Sequence, residues 1–172
     1  MSETLPQTLS LEETVAFLES AFPQMDAGGR TYHLVEVGPG LARMRMDHHE
    51  RHLRPGGTVS GPAMMALADY ALYAAILASL GPVALAVTTS LSFNFLRKPG
   101  PHGLLGSARL LKLGRRLAVG GGCGRRLRLG PGRRRPGGAG LRQHDRGGIR
   151  GGQRHQGLAV AAQGDVHRHA LA

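Results

Sequence analysis

The fold of this chain is decided by one stretch, PAMMALADYALYAAILASL at residues 62–80. The stretch is nearly continuously apolar and too long for a strand. Gly81–Pro82 close it, as is typical of the end of a helix. Together with Gly61 it predicts a central helix over residues 61–80. Because a helix that is apolar on every side must be buried, we expect the other elements to wrap around it.

Shorter elements flank this helix on both sides. Ser10 followed by Glu13 forms a capping box, which predicts a helix over residues 10–21. From Tyr32 the sequence alternates apolar and polar residues around Gly38–Gly40, which predicts a β-hairpin. Further β-rich runs cover residues 84–96, 103–113 and 116–119. This order of elements indicates an α+β meander around the buried helix.

The formal net charge of +11 belongs to the C-terminal segment. Residues 1–119 carry 11 Lys and Arg against 9 Asp and Glu, whereas residues 120–172 carry 11 arginines against two aspartates. The second segment also holds 15 of the 27 glycines and has no Lys, Glu, Ser, Thr or aromatic residue except histidine. It offers too little apolar surface to offset the entropy of ordering it. We therefore expect a domain over 1–119 and an Arg/Gly-rich tail over 120–172.

Two interpretations of the tail compete. RGG triplets at Arg146–Gly148 and Arg150–Gly152 are typical of RNA-binding tails, but the interleaved aromatics or serines of such tails are missing. Glycine, arginine, alanine and proline are also what a GC-rich gene yields when it is read out of frame. The composition favours the second interpretation, a tail that is out of frame or disordered, and we do not expect nucleic acid as a partner.

The rest of the composition excludes several classes of protein. The single cysteine, Cys123, excludes an internal disulfide and a cysteine-based zinc site, and it is typical of a reducing compartment. Residues 1–13 lack the basic and apolar regions of a signal peptide. The most apolar run, residues 61–87, is interrupted by Asp69 and by Gly81–Pro82. We expect a cytoplasmic protein with no metal site and no membrane contact.

Asp69 is the candidate for chemistry, because it is the only charged residue between Arg54 and Arg97. An aspartate on an apolar helix is costly to bury unless it is paired, so the alternative is a solvated residue at the helix rim. The loop before the helix favours a site. Its glycines allow a ligand to approach the backbone, and the free N–H groups at the helix start can stabilise an oxyanion.

The spacing of the two features suggests how they combine. Asp69 lies eight residues beyond Gly61, which is about 12 Å along the helix axis. That is too far for both groups to act on one atom within one subunit. The distance suits a site between two subunits packed helix to helix, with the loop from one and the acid from the other.

The stretch HLRPGGTVSGPAMMALADYALYAAI at 52–76, followed by VTTSLSFNFLRKPGP at 87–101, resembles a known family. It is similar to the hot-dog-fold acyl-CoA thioesterases of the phenylacetate-pathway type, which are related to 4-hydroxybenzoyl-CoA thioesterase. The resemblance covers about residues 30–119. The family loop reads Asn-x-x-Gly-x-x-His-Gly-Gly and is followed by Leu-Ala-Asp in the helix. Gly57, Gly61 and Asp69 match it, whereas Arg54, Ser60 and Pro62 stand at the Asn, His and last Gly positions.

The resemblance implies a hot-dog fold and a role for each matching residue. Asp69 would activate water or attack the thioester directly, and the Gly61 N–H would polarise the carbonyl. Ser60 would occupy the catalytic position of the family histidine, which positions the substrate in relatives. The family also implies a homodimer or a dimer of dimers, with acyl-CoA between subunits and no cofactor apart from the coenzyme A of the substrate. It places two strands after Arg116 inside the sheet, and we expect this tail not to supply them.

Other residues are candidates for substrate binding. Thr88 and Thr89 open the strand after the helix and could hold the attacking water, although such residues also simply suit a strand. Tyr73 shares a helix face with Asp69, where it could hydrogen-bond the acid or belong to the core. Cations that could meet the phosphates of coenzyme A, or lie solvated at strand ends, are Arg97, Lys98, Arg115 and Arg116. Arg54 and Gly57 complete the set from the loop.

The leading hypothesis is metal-free hydrolysis of an acyl-CoA thioester. A hot-dog dehydratase or hydratase is the second, but that chemistry normally needs a histidine paired with the acid, and Ser60 stands at the histidine position. A non-catalytic acyl-CoA-binding protein is the third hypothesis, and RNA binding through the tail is the last.

Overall fold

The structure is a computed structural model that describes residues 5–114, 116–126 and 158–163. Its helices are α1 (Leu11–Ala21) and α2 (Gly61–Leu80). Its strands are β1 (Tyr32–Gly38), β2 (Leu41–Met46), β3 (Leu53–Arg54), β4 (Thr58–Val59), β5 (Val87–Phe93), β6 (Leu104–Leu113), β7 (Leu117–Arg126) and β8 (Leu158–Gln163).

Helix α2 is the core of the molecule, as the sequence predicts. Leu67, Leu72 and Leu77 are at most 2% exposed, and strands β1, β2, β6 and β7 pack against the helix. In the described part of the chain, α2 is the one helix long and apolar enough to cross a membrane, and most of its apolar window is buried inside the protein. Its apolar character is therefore accounted for by the sheet that surrounds it.

The first helix is also confirmed. Ser10 is the N-cap of α1, its hydroxyl accepts from the Glu13 N–H, and the Glu13 carboxylate accepts from the Ser10 N–H. This reciprocal pair satisfies two donors that the helix leaves free. The backbone N–H of Phe22 closes the other end by donating to the Leu18 carbonyl.

Six strands form one antiparallel sheet in the order β1-β2-β6-β7-β8-β5. The predicted hairpin around Gly38–Gly40 is the β1–β2 pair, and the short β3–β4 hairpin carries the loop before α2. Met44 and Met46 of β2 are fully buried, and they lie on the face of the sheet that packs against the helix. An α+β fold with an antiparallel sheet wrapped around a long central helix is thus confirmed.

The structure corrects the expectation that the sheet lacks its last strands. Strands β7 and β8 lie inside the sheet between β6 and β5. The pattern of side chains is a poor guide here, because a ladder is formed by backbone N–H and C=O groups that every residue except proline carries. Glycine also suits β7 sterically, since a Cβ at Gly120 would collide with Leu72 Cδ1 of α2.

The proposed domain boundary at residue 119 falls within β7. Residues 120–126 and 158–163 of the Arg/Gly-rich tail are therefore paired strands. Both RGG triplets, Arg146–Gly148 and Arg150–Gly152, lie outside the described residues.

Candidate active site

Asp69 lies on the surface-facing side of α2, where it meets the strand that follows the helix. The hydroxyl of Thr88 on β5 donates to Asp69 Oδ1 at 2.5 Å. The acid is thus held by Thr88 through one oxygen, and its second oxygen can accept from a ligand or a water.

A bulge in β5 lies next to this contact. Thr88 pairs with Ala162 and Ser90 with Ala161, so the strand carries one extra residue, Thr89, at this point. Bulges redirect side chains and are common beside active sites. The predicted substrate residue Thr88 thus lies at the acid, directly beside an irregularity of the strand.

Asp69 and Thr88 open into a cleft of about 400 Å³, which we call the acid cleft. It is lined by Ala21, Phe22, Asp69, Tyr70, Tyr73, Ala84, Ala86, Val87 and Thr88. Three aromatic rings and small side chains make most of its wall. Burial raises the pKa of Tyr70, with the Asp69 carboxylate adding to the effect, and burial also raises that of Tyr73.

Tyr73 lines the acid cleft but does not hydrogen-bond Asp69. Its hydroxyl donates to the carbonyl oxygen of Ala84 at 3.1 Å, so of the two alternatives for Tyr73 the hydrogen bond to the acid is not the one formed. The loop after α2 brings that carbonyl within reach of the ring, which the sequence does not reveal. Tyr73 therefore forms part of the cleft wall, and this hydrogen bond orients its ring.

A second cleft, of about 330 Å³, lies at the start of α2, and we call it the loop cleft. It is lined by Arg54, Thr58, Val59, Gly61, Met64, Phe95, Arg97, Lys98 and Pro99. Four predicted site residues meet here: Arg54, Gly61, Arg97 and Lys98. The cleft therefore combines three cations with the N-terminus of the core helix, which is an arrangement that attracts anions.

At that N-terminus one donor is left free. Ser60 is the N-cap, and its hydroxyl accepts from the Ala63 N–H at 3.3 Å. Pro62 has no N–H to donate. Of these first positions only Gly61 has an N–H with no acceptor among the described residues. Ser60 thus caps the helix, and any role in the chemistry would add to this structural one.

The preceding loop is a tight turn. The Gly57 N–H donates to the Arg54 carbonyl at 3.0 Å, with Pro55 at the second position and Gly56 at the third. Gly56 has φ +92° and Gly57 has φ +69°, which require glycine or strain. The Arg54 Nε donates to the Thr58 hydroxyl at 2.8 Å across the hairpin. Gly57 therefore shapes the loop, and it does not line either cleft.

The remaining candidates are dispersed. Thr89 and Arg116 line neither cleft, and Arg116 is exposed in the turn between β6 and β7. Arg115 lies outside the described residues. In the part of the chain that the structure describes, no three His, Cys, Asp or Glu side chains come close enough to hold a metal ion.

Three aromatic residues of these clefts are not predicted from the sequence. Phe22 and Tyr70 line the acid cleft, and Phe95 packs beside Gly61 in the loop cleft. Tyr70 adjoins Asp69 in the sequence and could have been found from that alone. Phe22 lies at the end of another helix, and no local pattern connects it with the acid.

Comparison with known proteins gives a consistent result. The model of a family described as the thioesterase superfamily matches residues 56–127. A crystal structure from Silicibacter sp. TM1040, assigned as a thioesterase, is 37% identical over 93% of each chain, with a TM-score of 0.67. A Haemophilus influenzae thioesterase is 16% identical, covers 98% of this chain and 100% of its own, and has a TM-score of 0.66.

A mutant of the phenylacetic acid degradation protein PaaI from Thermus thermophilus is also similar in structure. It is 22% identical over 82% of this chain and 97% of its own, with a TM-score of 0.57. At these identities the Haemophilus and Thermus structures support the fold alone. No curated protein sequence matches the chain.

Proposed function

The chain belongs to the thioesterase superfamily, and from that premise we propose that it hydrolyses an acyl-CoA thioester to a free acid and coenzyme A. As a member of this family, the chain is a hydrolase that acts on thioesters, and it has the hot-dog fold. The observation that carries the finer proposal is the pair of clefts along α2, one with an oriented acid and one with a free N–H among cations.

Each group of the two clefts has its own role in this scheme. Asp69 is held by Thr88 and lines the cleft, where its carboxylate can accept a proton from an attacking water or itself attack the thioester carbon. The Gly61 N–H would stabilise the negative charge that develops on the carbonyl oxygen. Arg54, Arg97 and Lys98 would bind the phosphates of coenzyme A, since arginine and lysine both favour such anions.

Asp69 and the Gly61 N–H can act in one reaction only if the active site is shared between two subunits. Asp69 and Gly61 are about 12 Å apart along α2, and within one chain they line different clefts. Strand β5 pairs with β8 on one edge and with no other described strand, and Val87 on it is 58% exposed. We propose a homodimer, itself able to pair into a tetramer, in which the acid of one protomer meets the loop of its partner.

Within the superfamily we assign the chain to the phenylacetate-pathway type. The support is the loop and helix pattern, in which Gly57, Gly61 and Asp69 match and Ser60 departs. Ser60 stands at the position matched to the family histidine and is engaged as the N-cap of α2, so that position offers no imidazole for hydratase chemistry. No cofactor beyond the substrate's coenzyme A and a cytoplasmic location complete the proposal.

A mixed-dimer assay tests the proposal. Asp69→Asn keeps the shape of the acid and its contact with Thr88 but removes the base, and should lower kcat by about 10²–10⁴-fold. Gly61→Pro removes the N–H at a helix position that tolerates proline, and it should lower kcat by about 10²–10³-fold. Gly61→Ala is the matched control, because its Cβ would lie 3.6 Å from Phe95 Cζ, an ordinary contact, and the N–H remains.

Release of thiol from a panel of acyl-CoAs is measured for each variant and for the two inactive variants assembled together. A shared site predicts recovery of about a quarter of the wild-type rate, because half of the dimers are mixed and each mixed dimer has one intact site. No recovery would place acid and donor in the same protomer. If the wild type releases no coenzyme A from any substrate, hydrolysis of acyl-CoA is excluded, and measured binding without release would indicate the non-catalytic alternative.

A further inference from the structure

The acid cleft runs from Asp69 towards the C-terminal end of α2. Asp69 and Tyr73 are one helical turn apart on the same face, about 6 Å along the axis. Ala84 and Ala86, from the loop that follows the helix, line the same cleft. An acyl group whose carbonyl carbon lies at Asp69 therefore has about this length before it meets the Tyr73 ring.

Tyr73 is a rigid end to this path. Its hydroxyl donates to the Ala84 carbonyl at 3.1 Å, which ties the ring to the loop. A ring that is tied at its tip does not swing aside for a longer chain without breaking that hydrogen bond. The half-buried position of Tyr73 fits this role, because the side chain is neither core nor free surface.

Phe22, at the end of α1, lines the same cleft beside Tyr73. Its ring packs edge to face against Tyr70, with centroids 5.6 Å apart, and against Tyr73, with centroids 6.2 Å apart. The backbone of Phe22 is held as well, since it ends α1 and Pro23 follows it. The three rings therefore form a wall contributed by two separate helices.

We propose that Phe22 and Tyr73 are specificity-determining residues that limit the acyl group to a short or compact one. The proposal rests on the function above, because it takes the acid cleft as the acyl subsite. About 6 Å accommodates roughly four or five methylene groups beyond the carbonyl. Neither residue touches the reacting atoms, so substitution at either should change the choice of substrate more than the chemistry.

The test is the dependence of kcat/KM on acyl length, measured with saturated acyl-CoAs from C2 to C16. For the wild type, kcat/KM should fall at least about 10-fold between the C6 and C10 substrates. A mismatch of one methylene or more in an apolar pocket lowers kcat/KM by about 10-fold or more. Phe22→Ala should move this limit by two to four carbons and raise kcat/KM for C10 by about 10-fold. Phe17→Ala, on the same helix and packed against the core but outside the cleft, should keep the wild-type limit.

A second variant changes the limit in the opposite direction and keeps the test valid if Phe22→Ala fails to fold. Ala86→Leu adds bulk to the loop side of the cleft and should shorten the limit by about two carbons. An unchanged length profile in both variants, or a wild type that prefers C12 and longer, would overturn the proposal while leaving the thioesterase function intact.

Binding separates the two proposals. Calorimetry with S-alkyl thioethers of coenzyme A, which cannot be hydrolysed, reports the length limit without any turnover. If the thioethers bind with a limit that Phe22→Ala extends, yet no acyl-CoA is hydrolysed, the length limit stands and the proposed function fails. If thioester hydrolysis is observed and thioether binding strengthens steadily to C16, the function stands and the limit is wrong.

Discussion

At the scale of single residues, several side chains near the candidate site have a structural role. Thr88 orients Asp69 through a hydrogen bond of 2.5 Å, and Ser60 caps the core helix. A similar supporting role falls to His52, which is buried at the base of the loop that precedes α2. Its Nε2 lies 2.9 Å from the Thr31 hydroxyl, and that hydroxyl also accepts from Arg51.

His52 predicts a pH dependence of stability. Burial lowers the pKa of its imidazole below the usual 6.5, and the positive charge of Arg51 together with His49 and His48 lowers it further. Burial raises the pKa of its neighbour Tyr32 to about 12, so that ring stays neutral near pH 7. Because the unfolded chain binds the His52 proton more readily, this contribution to stability is complete above about pH 6.5 and is lost as the pH falls towards the lower pKa of the folded state.

The free energy of unfolding should therefore decrease between pH 7.5 and pH 5, with a contribution from His52 of at most about 1.4 kcal/mol per pH unit. Urea titrations at several pH values measure it. His52→Gln should flatten the slope, whereas His102→Gln, at an exposed loop position, should leave it unchanged. Equal slopes in the wild type and His52→Gln would contradict this account.

At the scale of elements, strand β7 shows how a glycine run can be a strand. Gly120, Gly122 and Gly124 pair with Leu110, Ala108 and Gly106 of β6. The glycines differ in the space around them. A Cβ at Gly122 would collide with the carbonyl oxygen of Ser107, which is backbone and cannot move aside, whereas a Cβ at Gly124 meets nothing within 4 Å.

This difference predicts opposite effects for one substitution at two positions of the same strand. Gly122→Ala should destabilise the protein by about 1–3 kcal/mol, because the strands must separate to admit the methyl group. Gly124→Ala should be neutral or stabilise by up to about 1 kcal/mol, since it restricts only the unfolded chain. Chemical denaturation of both variants measures the two effects. A Gly122→Ala protein as stable as Gly124→Ala would show that β7 is not paired with β6 in this register.

At the scale of the whole molecule, the last strand joins two parts of the sheet. Strand β8 pairs with β7 on one side and with β5 on the other. Among the described strands, β8 is the one partner of β5. The acid site depends on this arrangement, because Thr88 lies on β5. The Arg/Gly-rich segment, whatever the reading frame that produced it, thus includes a strand on which the position of the site depends.

Truncation tests the contribution of β8. A chain ending at Arg126 should expose both edges of β5 and the outer edge of β7, and unpaired edges lead to aggregation. It should elute as aggregates in size-exclusion chromatography and lose thioester hydrolysis. The matched control ends at Gln163, retains every described strand, and should behave like the full chain. Equal behaviour of the two truncated chains would indicate that β8 contributes nothing. It would also favour the out-of-frame interpretation, which sequencing the gene across the codons for Gly120–Cys123 tests directly.

The sequence by itself determined the elements whose signals are local. The apolar run predicted α2, the capping box predicted α1, and a lone acid with a glycine-rich loop pointed to the helix that lines both clefts. These features depend on neighbours within a few residues, where propensity, capping and periodicity act.

The tertiary structure decided what depends on residues far apart in the chain. Thr88 reaches Asp69 from 19 residues away, and Phe22 reaches Tyr70 from another helix. Tyr73 donates to Ala84 instead of the acid because the loop after α2 folds back over it. Strand β7 forms because a glycine-rich backbone can complete a ladder without an alternating pattern of side chains. Such contacts follow from packing and strand pairing over the whole molecule, and no local pattern in the sequence records them.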